Sequence, residues 1–197
     1  MHQGVVIAAL LIIAASLPAR ASAQPSTKPP RGLLLGLGGG VSSVRDSRTD
    51  EQGSGAVFNL RAGLGMGRGI TPMVEVTGHR VFDEWLPIGY TTSSAVLKTG
   101  AVLASVQVEL PRSFYVRPGV GYGNHAFVAP DSATTDDGYF YTAHESGSAA
   151  SLTIGRTLLA ARPAVVAIEG TALWTRGGDV SGNRRSLGVQ VIAMLRF

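Results

Sequence analysis

The sequence predicts an all-β fold: an eight-stranded antiparallel up-and-down transmembrane β-barrel preceded by a cleavable signal peptide. Three observations carry this prediction. Apolar residues recur at every second position through most of the chain, polar connections separate these segments, and the amino terminus begins with a short apolar run. Period-two alternation is typical of strands, because successive side chains of a strand point to opposite faces of the sheet.

The segment 187–197 shows the alternation most clearly. Every residue of one parity is apolar: Leu187, Val189, Val191, Ala193, Leu195 and Phe197. The other parity is mixed and includes Gln190 and Arg196. The segment is therefore predicted to be a strand with one apolar face and one partly polar face, and it closes on the aromatic residue Phe197.

Seven further strands are predicted from the same pattern, at residues 32–41, 55–67, 70–80, 96–110, 114–127, 147–160 and 164–174. The sixth of these, 147–160, alternates less cleanly. Each strand is about as long as the 9 to 11 tilted residues that cross a bilayer. The connections alternate between tight turns and longer polar loops, as in outer-membrane barrels, and we expect the tight turns and both chain ends to face the periplasm.

Composition limits the kinds of partner. Charged residues make up 15% of the chain and there are 26 glycines, whereas about a quarter of an ordinary soluble domain is charged. Much of the surface is therefore predicted to face something other than water. The 17 basic residues are scattered, with no run typical of a nucleic-acid interface, so no nucleic-acid partner is predicted. The absence of cysteine excludes disulfides and thiolate chemistry.

The amino terminus resembles a secretory signal peptide. An apolar run at 5–17 is followed by Pro18 and by the small residues Ala21, Ser22 and Ala23. The first residues carry no Lys or Arg, although His2 and the α-amino group supply some positive charge. A retained membrane helix is the alternative, but the run is shorter than the roughly 20 residues that a span needs. We expect a signal peptide at 1–23, a proline-containing disordered lead-in at 24–31, and the barrel at 32–197.

Aromatic residues cluster near the strand ends and predict two interfacial girdles. One group lies at the loop ends of the strands: Phe82, Trp85, Tyr139, Phe140, Tyr141 and Trp174. A second group lies at the opposite ends: Phe114, Tyr115 and Phe197.

Taken together, the strand pattern, the girdles and the Phe197 ending resemble the small eight-stranded bacterial outer-membrane β-barrel proteins, the OmpA-type transmembrane domain and its relatives. The resemblance covers the whole mature chain and carries over no catalytic residue. It implies a monomer in the outer membrane of a Gram-negative bacterium, surrounded by outer-membrane lipid after signal-peptide export. It also implies that the β-barrel assembly machinery recognises the last strand, with Phe197 as the assembly signal.

A soluble lipocalin-like barrel is the alternative fold, because it alternates in the same way with its apolar parity inward. The mixed face discriminates between the two. Here that face is rich in Gly and Ser with single charges near strand centres, whereas a water-facing sheet would carry abundant Lys, Glu and Thr. The membrane barrel is therefore favoured.

If the apolar parity faces lipid, the charged residues within the strands must point inward. A network of six is predicted: Arg61, Glu75, Glu109, Arg117, Arg156 and Glu169. We expect Arg61 to lie opposite Glu75, Gln107 or Glu109 to reach Arg117, and Arg156 to reach Glu169. Such a network could form a narrow conduit or gate, but a plug of ion pairs is favoured because eight strands enclose little more than side-chain space.

Other candidate sites have weaker support. His144-Glu145-Ser146 resembles the His-x-Ser of outer-membrane lipid A deacylases, which makes His144 and Ser146 catalytic candidates, but no acid can be assigned to complete a triad. His79 and His125 are candidate metal ligands or lumenal hydrogen-bonding groups. Acidic residues of the longest loop lack the spacing of an EF-hand: Asp131, Asp136, Asp137 and Glu145. The glycines at 36–40 precede no helix and so form no phosphate cradle.

No metal and no cofactor are therefore predicted. The sequence favours a structural, adhesive or protective role at the cell surface, with an interior filled by side chains. A narrow small-solute pore and a lipid A modifying acyl hydrolase are the alternatives.

Overall fold

The computed structural model describes residues 31–47, 52–82, 86–88, 91–93, 96–130, 140–161, 163–177 and 183–197. Within these ranges, the side chains of 46, 81–82, 86–88, 91–93, 96–97, 126–130 and 140–144 lie outside the description. The strands are β1 (Arg31–Asp46), β2 (Gln52–Met66), β3 (Ile70–Phe82), β4 (Leu86–Ile88), β5 (Thr91–Ser93), β6 (Val96–Glu109), β7 (Phe114–Pro130), β8 (Phe140–Ala161), β9 (Ala164–Thr175) and β10 (Arg184–Arg196).

Eight of these strands form a closed antiparallel barrel in the order β1-β10-β9-β8-β7-β6-β3-β2, which confirms the predicted eight-stranded antiparallel barrel. Strands β4 and β5 pair only with each other, as a short hairpin in the connection between β3 and β6. Closure is made by β1 and β10, whose register runs from Leu34 opposite Arg196 to Asp46 opposite Arg184. Beyond that ladder, Phe197 N–H donates to the Leu33 carbonyl at 2.9 Å. A closed sheet leaves no strand with an unpaired edge.

Two ends of the barrel differ in their connections. At one end, the turn end, β2 and β3 are joined through Gly67 and Gly69, both at positive φ, and β6 and β7 through a short 3-10 turn, Pro111–Ser113. Glycine adopts positive φ without a Cβ clash, which permits the tight β2–β3 turn. At the other end, the loop end, the connections are longer. No helix in the described part of the chain is long and apolar enough to span a membrane.

The apolar parity of the sheet faces outward. Large apolar side chains are exposed around the whole barrel: Leu37, Phe58, Val76, Val102, Val120, Ile154, Trp174 and Val191. Leu187 and Val191 in the last strand are 51% and 52% exposed. Polar and charged side chains of the opposite parity, by contrast, are buried in the lumen. This polarity is that of a barrel in hydrocarbon and excludes the soluble lipocalin-like arrangement.

The strands extend further toward the loop end than the sequence predicted. β1 continues to Asp46 instead of ending at 41, and β8 begins at Phe140 instead of 147. These extensions carry few apolar residues in alternation, because backbone hydrogen bonds continue the ladder where no apolar face is required. β1 also begins at Arg31, one residue inside the predicted lead-in.

A local irregularity accounts for the poor alternation of the sixth predicted strand. The pairing of β8 with β9 shifts register between Thr157 and Leu159. An extra residue in one strand reverses the parity of the residues beyond it. Leu158 and Leu159 are consequently both exposed, at 42% each.

The outward direction of the apolar parity predicts the effect of a charge at mid-height. Val191→Arg should lower the free energy of unfolding by about 2–4 kcal/mol, whereas Asn124→Arg, outward but near the loop end, should cost about 0–1 kcal/mol. Reversible denaturant titration of the protein in lipid vesicles, followed by tryptophan fluorescence, measures both values. Equal losses would contradict the assigned membrane depth.

Candidate functional site

A cluster of four charged side chains lies inside the barrel. It consists of Arg61 on β2, Glu75 on β3, Arg117 on β7 and Glu169 on β9, and we call it the ion cluster. Each residue occupies an inward position of its strand because of the period-two parity. The four residues are at most 4% exposed, and Arg117 and Glu169 are fully buried.

The ion pairs form a chain of alternating charge. Arg61 Nη1 donates to Glu169 Oε1 at 2.7 Å. Arg117 binds Glu169 through two nitrogens, Nη1 to Oε1 and Nη2 to Oε2, each at 3.0 Å, and its Nε donates to Glu75 Oε1 at 2.9 Å. Two cations therefore balance two carboxylates, and the two-point contact is the strong planar geometry of arginine with a carboxylate.

The chain of ion pairs crosses the lumen. β2, β9, β7 and β3 are spread around the barrel, and each ion pair joins strands that are not neighbours in the sheet. The paired strands are two or three positions apart in the sheet, so the ion pairs link them through the lumen and not along the wall. A path for solute along the barrel axis would have to pass this level.

Neutral side chains add hydrogen bonds to both carboxylates and to Arg117, whereas Arg61 Nε and Nη2 have no hydrogen-bond partner among the described residues. Gln190 donates to Glu169 at 3.1 Å and Asn59 to Glu75 at 3.3 Å. Gln107 accepts from Arg117 at 3.3 Å and donates to Glu109 at 2.8 Å. Each hydrogen bond to a buried charge offsets part of the cost of removing it from water, so these amides lower the cost of burying Glu75, Glu169 and Arg117.

Tyr115 joins the cluster, although the sequence analysis placed it in an aromatic girdle. It is fully buried, and its hydroxyl donates to Glu169 Oε1. The sequence does contain a signal for this inward position. Tyr115 lies two residues from Arg117 and therefore shares its face of β7. Its position at the start of β7 is shared with girdle residues, but its parity is that of the lumen.

Two glycines make room for these large side chains. A Cβ on Gly155 would overlap the Tyr115 ring, and a Cβ on Gly36 would lie 2.9 Å from Arg61 Cγ. Glycine in a strand interior is common where another group must approach the backbone closely. The inward glycines of the sequence thus accommodate the ion cluster.

The residues of the predicted charge network have partners that differ in part from those predicted. Arg61 and Glu75 are register partners across β2 and β3, yet the ion pair found for each runs to another strand. Glu109 is bound by Gln107 next to the cluster. Arg156 lies on the outward parity of β8 at the turn end, with its guanidinium 5.4 Å from the centre of the Phe114 ring.

The lumen between the ion cluster and the loop end also carries polar side chains. His79 and His125 are 2% and 1% exposed, and each is the register neighbour of Thr99, from opposite sides. Among the described residues, no group of three or more His, Asp or Glu could hold a metal ion. Asp131, Asp136 and Asp137 lie outside the described residues.

The catalytic candidates are only partly described. Ser146 is exposed on the outward face, and its Oγ accepts a hydrogen bond from the Tyr122 hydroxyl. His144 pairs with Ala126 in the β7–β8 ladder, and its side chain lies outside the description. A serine nucleophile needs a base that accepts its proton, and the phenol of Tyr122 does not supply one.

The girdle candidates are divided between the two barrel ends. Trp174 is 40% exposed near the loop end, and Phe197 is 69% exposed at the turn end, where Phe114 is half-buried. Trp85 and Tyr139 lie outside the described residues. The backbones of Phe82, Phe140 and Tyr141 are in strands, while their side chains lie outside the description.

Breaking the ion cluster should destabilise the barrel. Glu169→Gln leaves Arg61 and Arg117 facing one remaining carboxylate, and the loss of one partner from a buried pair costs about 3–5 kcal/mol. Glu109→Gln, another inward carboxylate, should cost about 1 kcal/mol because its described bond is to a neutral amide. Denaturant titration in vesicles compares them. In a double-mutant cycle, Glu169→Gln with Arg61→Gln should cost less than the sum of the single changes.

Gly155→Ala should cost about 1–3 kcal/mol, since the added methyl group displaces the Tyr115 ring. In a Tyr115→Ala background the same change should be nearly neutral. Gly39→Ala is the control, because a Cβ there meets only the Val57 carbonyl oxygen at 3.7 Å. The same unfolding titration measures all four variants. A loss at Gly155 that persists without the tyrosine ring would contradict this packing.

No protein-family model matches this sequence, and no curated protein matches it. Solved structures do. Ail, the attachment invasion locus protein of Yersinia pestis, in complex with the heparin analogue sucrose octasulfate, aligns with a TM-score of 0.59 at 13% identity, covering 85% of this chain and 99% of Ail. Neisserial surface protein A aligns with a TM-score of 0.58 at 9% identity, covering 84% of this chain and 97% of that protein. This chain therefore has the fold of the eight-stranded outer-membrane β-barrels.

Proposed function

We propose that this protein is an outer-membrane β-barrel with a structural, adhesive or protective role at the cell surface, and that its lumen is closed by side chains. The observation that carries the proposal is the ion cluster. Its four charged groups join non-neighbouring strands through the barrel centre and are almost completely buried. A protein built in this way presents its loops and outer surface, not an open channel, to its surroundings.

The contacts of the cluster favour a plug over a gate. Glu169 receives hydrogen bonds from Arg61, Arg117, Tyr115 and Gln190. Opening a path through the centre would break several charge-assisted bonds at once and leave buried charges unpaired, which is strongly unfavourable. A small-solute pore is therefore the weaker alternative.

A lipid A modifying hydrolase is also less well supported. Ser146 lies on the outward face, where a lipid substrate would be, but the hydrogen bond found for its hydroxyl is to Tyr122. Loss of deacylase activity in both His144→Ala and Ser146→Ala variants would establish this alternative. The ion cluster lies in the lumen and plays no part in it.

Export and assembly belong to the same proposal. Residues 1–23 are a signal peptide and 24–31 a lead-in, of which Arg31 already belongs to β1. The assembly machinery of the outer membrane recognises β10 and Phe197, and the mature protein is a monomer surrounded by outer-membrane lipid. β10 is suited to this role because it pairs with β1 to close the barrel, so its placement is the step that completes the sheet.

A surface role assigns ligand binding to the loop end. β7 and β8 pair from Phe114 opposite Arg156 to Pro130 opposite Phe140, the longest ladder of the barrel, and they carry the connection 131–139. Ail, which has the same fold, is seen with a polysulfated sugar. Connections between strands are free to vary without disturbing the sheet, which is why such binding residues lie there.

Planar-bilayer recording tests the closed lumen. The wild-type protein should insert without large, stable conductance steps. Arg117→Ala with Glu169→Ala removes one cation and one carboxylate, leaves the net charge of the interior unchanged and should produce steps that the wild type lacks. Heat-modifiable migration on a gel controls for barrel formation in each sample. Large stable steps from the wild type would contradict the proposal and favour the pore.

A further inference from the structure

Basic side chains surround the loop end of the outward face. They are exposed at outward positions on four strands and just after a fifth: Arg45 on β1, Arg80 on β3, Lys98 on β6, Arg185 on β10 and Arg176 after β9. The four carboxylates whose burial is described occupy inward parity: Glu75, Glu109, Glu145 and Glu169. Among the described residues, the charged side chains on the outward face at this end are therefore all basic.

The register brings three of these cations close together. Arg185 is the direct partner of Arg45 on one side and of Trp174 on the other. Arg176 follows Thr175, which pairs with Arg184, so Arg176 lies diagonally across from Arg185. Directly paired residues of adjacent strands have Cβ atoms about 5 Å apart, and diagonal neighbours are about 7–8 Å apart. Like charges at these distances favour an anion between them.

A cavity of about 720 Å³ lies at this place. Its polar lining includes Arg176, Arg185 and Asn183, and its apolar lining includes Val120, Ala150 and Trp174. Val120, Ala150 and Trp174 are on the outward parity and are exposed. Val120, Ala150, Trp174 and Arg185 are successive partners in one cross-strand row, so the cavity is an amphipathic groove with its apolar side on β7 and β8 and its cationic side on β10. Its lining also includes inward-parity residues: Gly121, Ala149, Thr175 and Arg184. Its volume is in the range of sites for small organic ligands.

We propose that this groove binds a phosphorylated glycolipid of the outer leaflet. Arg176 and Arg185 hold a headgroup phosphate, and one acyl chain lies on Val120, Ala150 and Trp174. This inference rests on the proposed outer-membrane location, in which the loop end faces the cell exterior. An arginine binds phosphate through charge and through paired N–H donors.

The depth of the groove favours a lipid over a soluble polyanion. Arg185 is two residues along the same face from Leu187, which is 51% exposed and belongs to the apolar outward face of the barrel. Trp174 lies beside Arg185, and exposed tryptophan marks the membrane interface of such barrels. A soluble polyanion would approach from beyond the loop end and would not use the apolar half of the groove.

The width of the cationic surface favours a glycolipid over a phospholipid. Arg176, Arg185 and Arg45 span three adjacent strands, β9, β10 and β1, or about 10 Å at the usual strand spacing. A single phosphodiester is narrower than this span. A sugar headgroup with more than one phosphate matches it.

The test uses the full mature chain refolded in detergent. The probes are bis-phosphorylated lipid A, monophosphorylated lipid A and phosphatidylglycerol, and binding is measured by native mass spectrometry. Arg176→Gln with Arg185→Gln should weaken binding of bis-phosphorylated lipid A at least tenfold. Arg68→Gln with Arg112→Gln, exposed residues of the turn end, removes the same charge and should leave binding unchanged. For the wild type, monophosphorylated lipid A should bind more weakly and phosphatidylglycerol weakest.

Three results would overturn the inference. One is equal binding by the groove and turn-end variants, and another is equal affinity for lipid A and phosphatidylglycerol. The third is loss of heparin binding by the groove variant while lipid A binding is kept, which would assign the groove to a soluble polyanion. Heat-modifiable migration verifies folding, and the single variants replace any double variant that does not fold. Fractionation of cells separates the two proposals, because a chain found outside the outer membrane refutes the proposed function itself.

Discussion

Every backbone N–H and C=O in the membrane-crossing part of this protein must find its partner within the sheet, because hydrocarbon offers none. The pairing of β10 with β1 meets this requirement by leaving no open edge. Closure at eight strands then fixes the size of the lumen, which is only wide enough for side chains. This narrow lumen determines which side chains the interior can hold.

Inside so narrow a barrel, large side chains and glycines must alternate. Arg61, Arg117 and Tyr115 fill the centre, while Gly36 and Gly155 provide the wall space beside Arg61 and Tyr115. The charges are tolerated because each cation is paired with a carboxylate and because neutral amides and a phenol add hydrogen bonds to the carboxylates and to Arg117. The cluster is therefore both the filling of the barrel and a set of cross-links between strands that the sheet itself does not join.

Closure of the sheet also creates an outer surface, which is apolar where the lumen is polar. Its middle is apolar, and exposed cations lie toward both ends, with Trp174 and Arg185 side by side at the loop end. A surface of this kind resides at the boundary between hydrocarbon and charged headgroups. The proposed surface role and the proposed lipid site both place the function of the protein on its exterior.

The sequence by itself determined the strand number, the antiparallel order and the side that each parity faces, since period-two alternation is a property of the chain alone. It also determined that Arg61, Glu75, Arg117 and Glu169 are inward. It did not determine how far β1 and β8 extend beyond the apolar band, because the ladder there is held by backbone bonds that leave no hydropathy pattern.

Only the tertiary structure decided which charges meet. Arg61 is opposite Glu75 in the hairpin, as predicted, yet it binds Glu169 from the far side of the lumen. Partners across a barrel depend on the stagger and tilt of all eight strands, which local spacing does not encode. The inward burial of Tyr115 and the outward position of Arg156 over Phe114 were decided in the same way, by closure of the sheet.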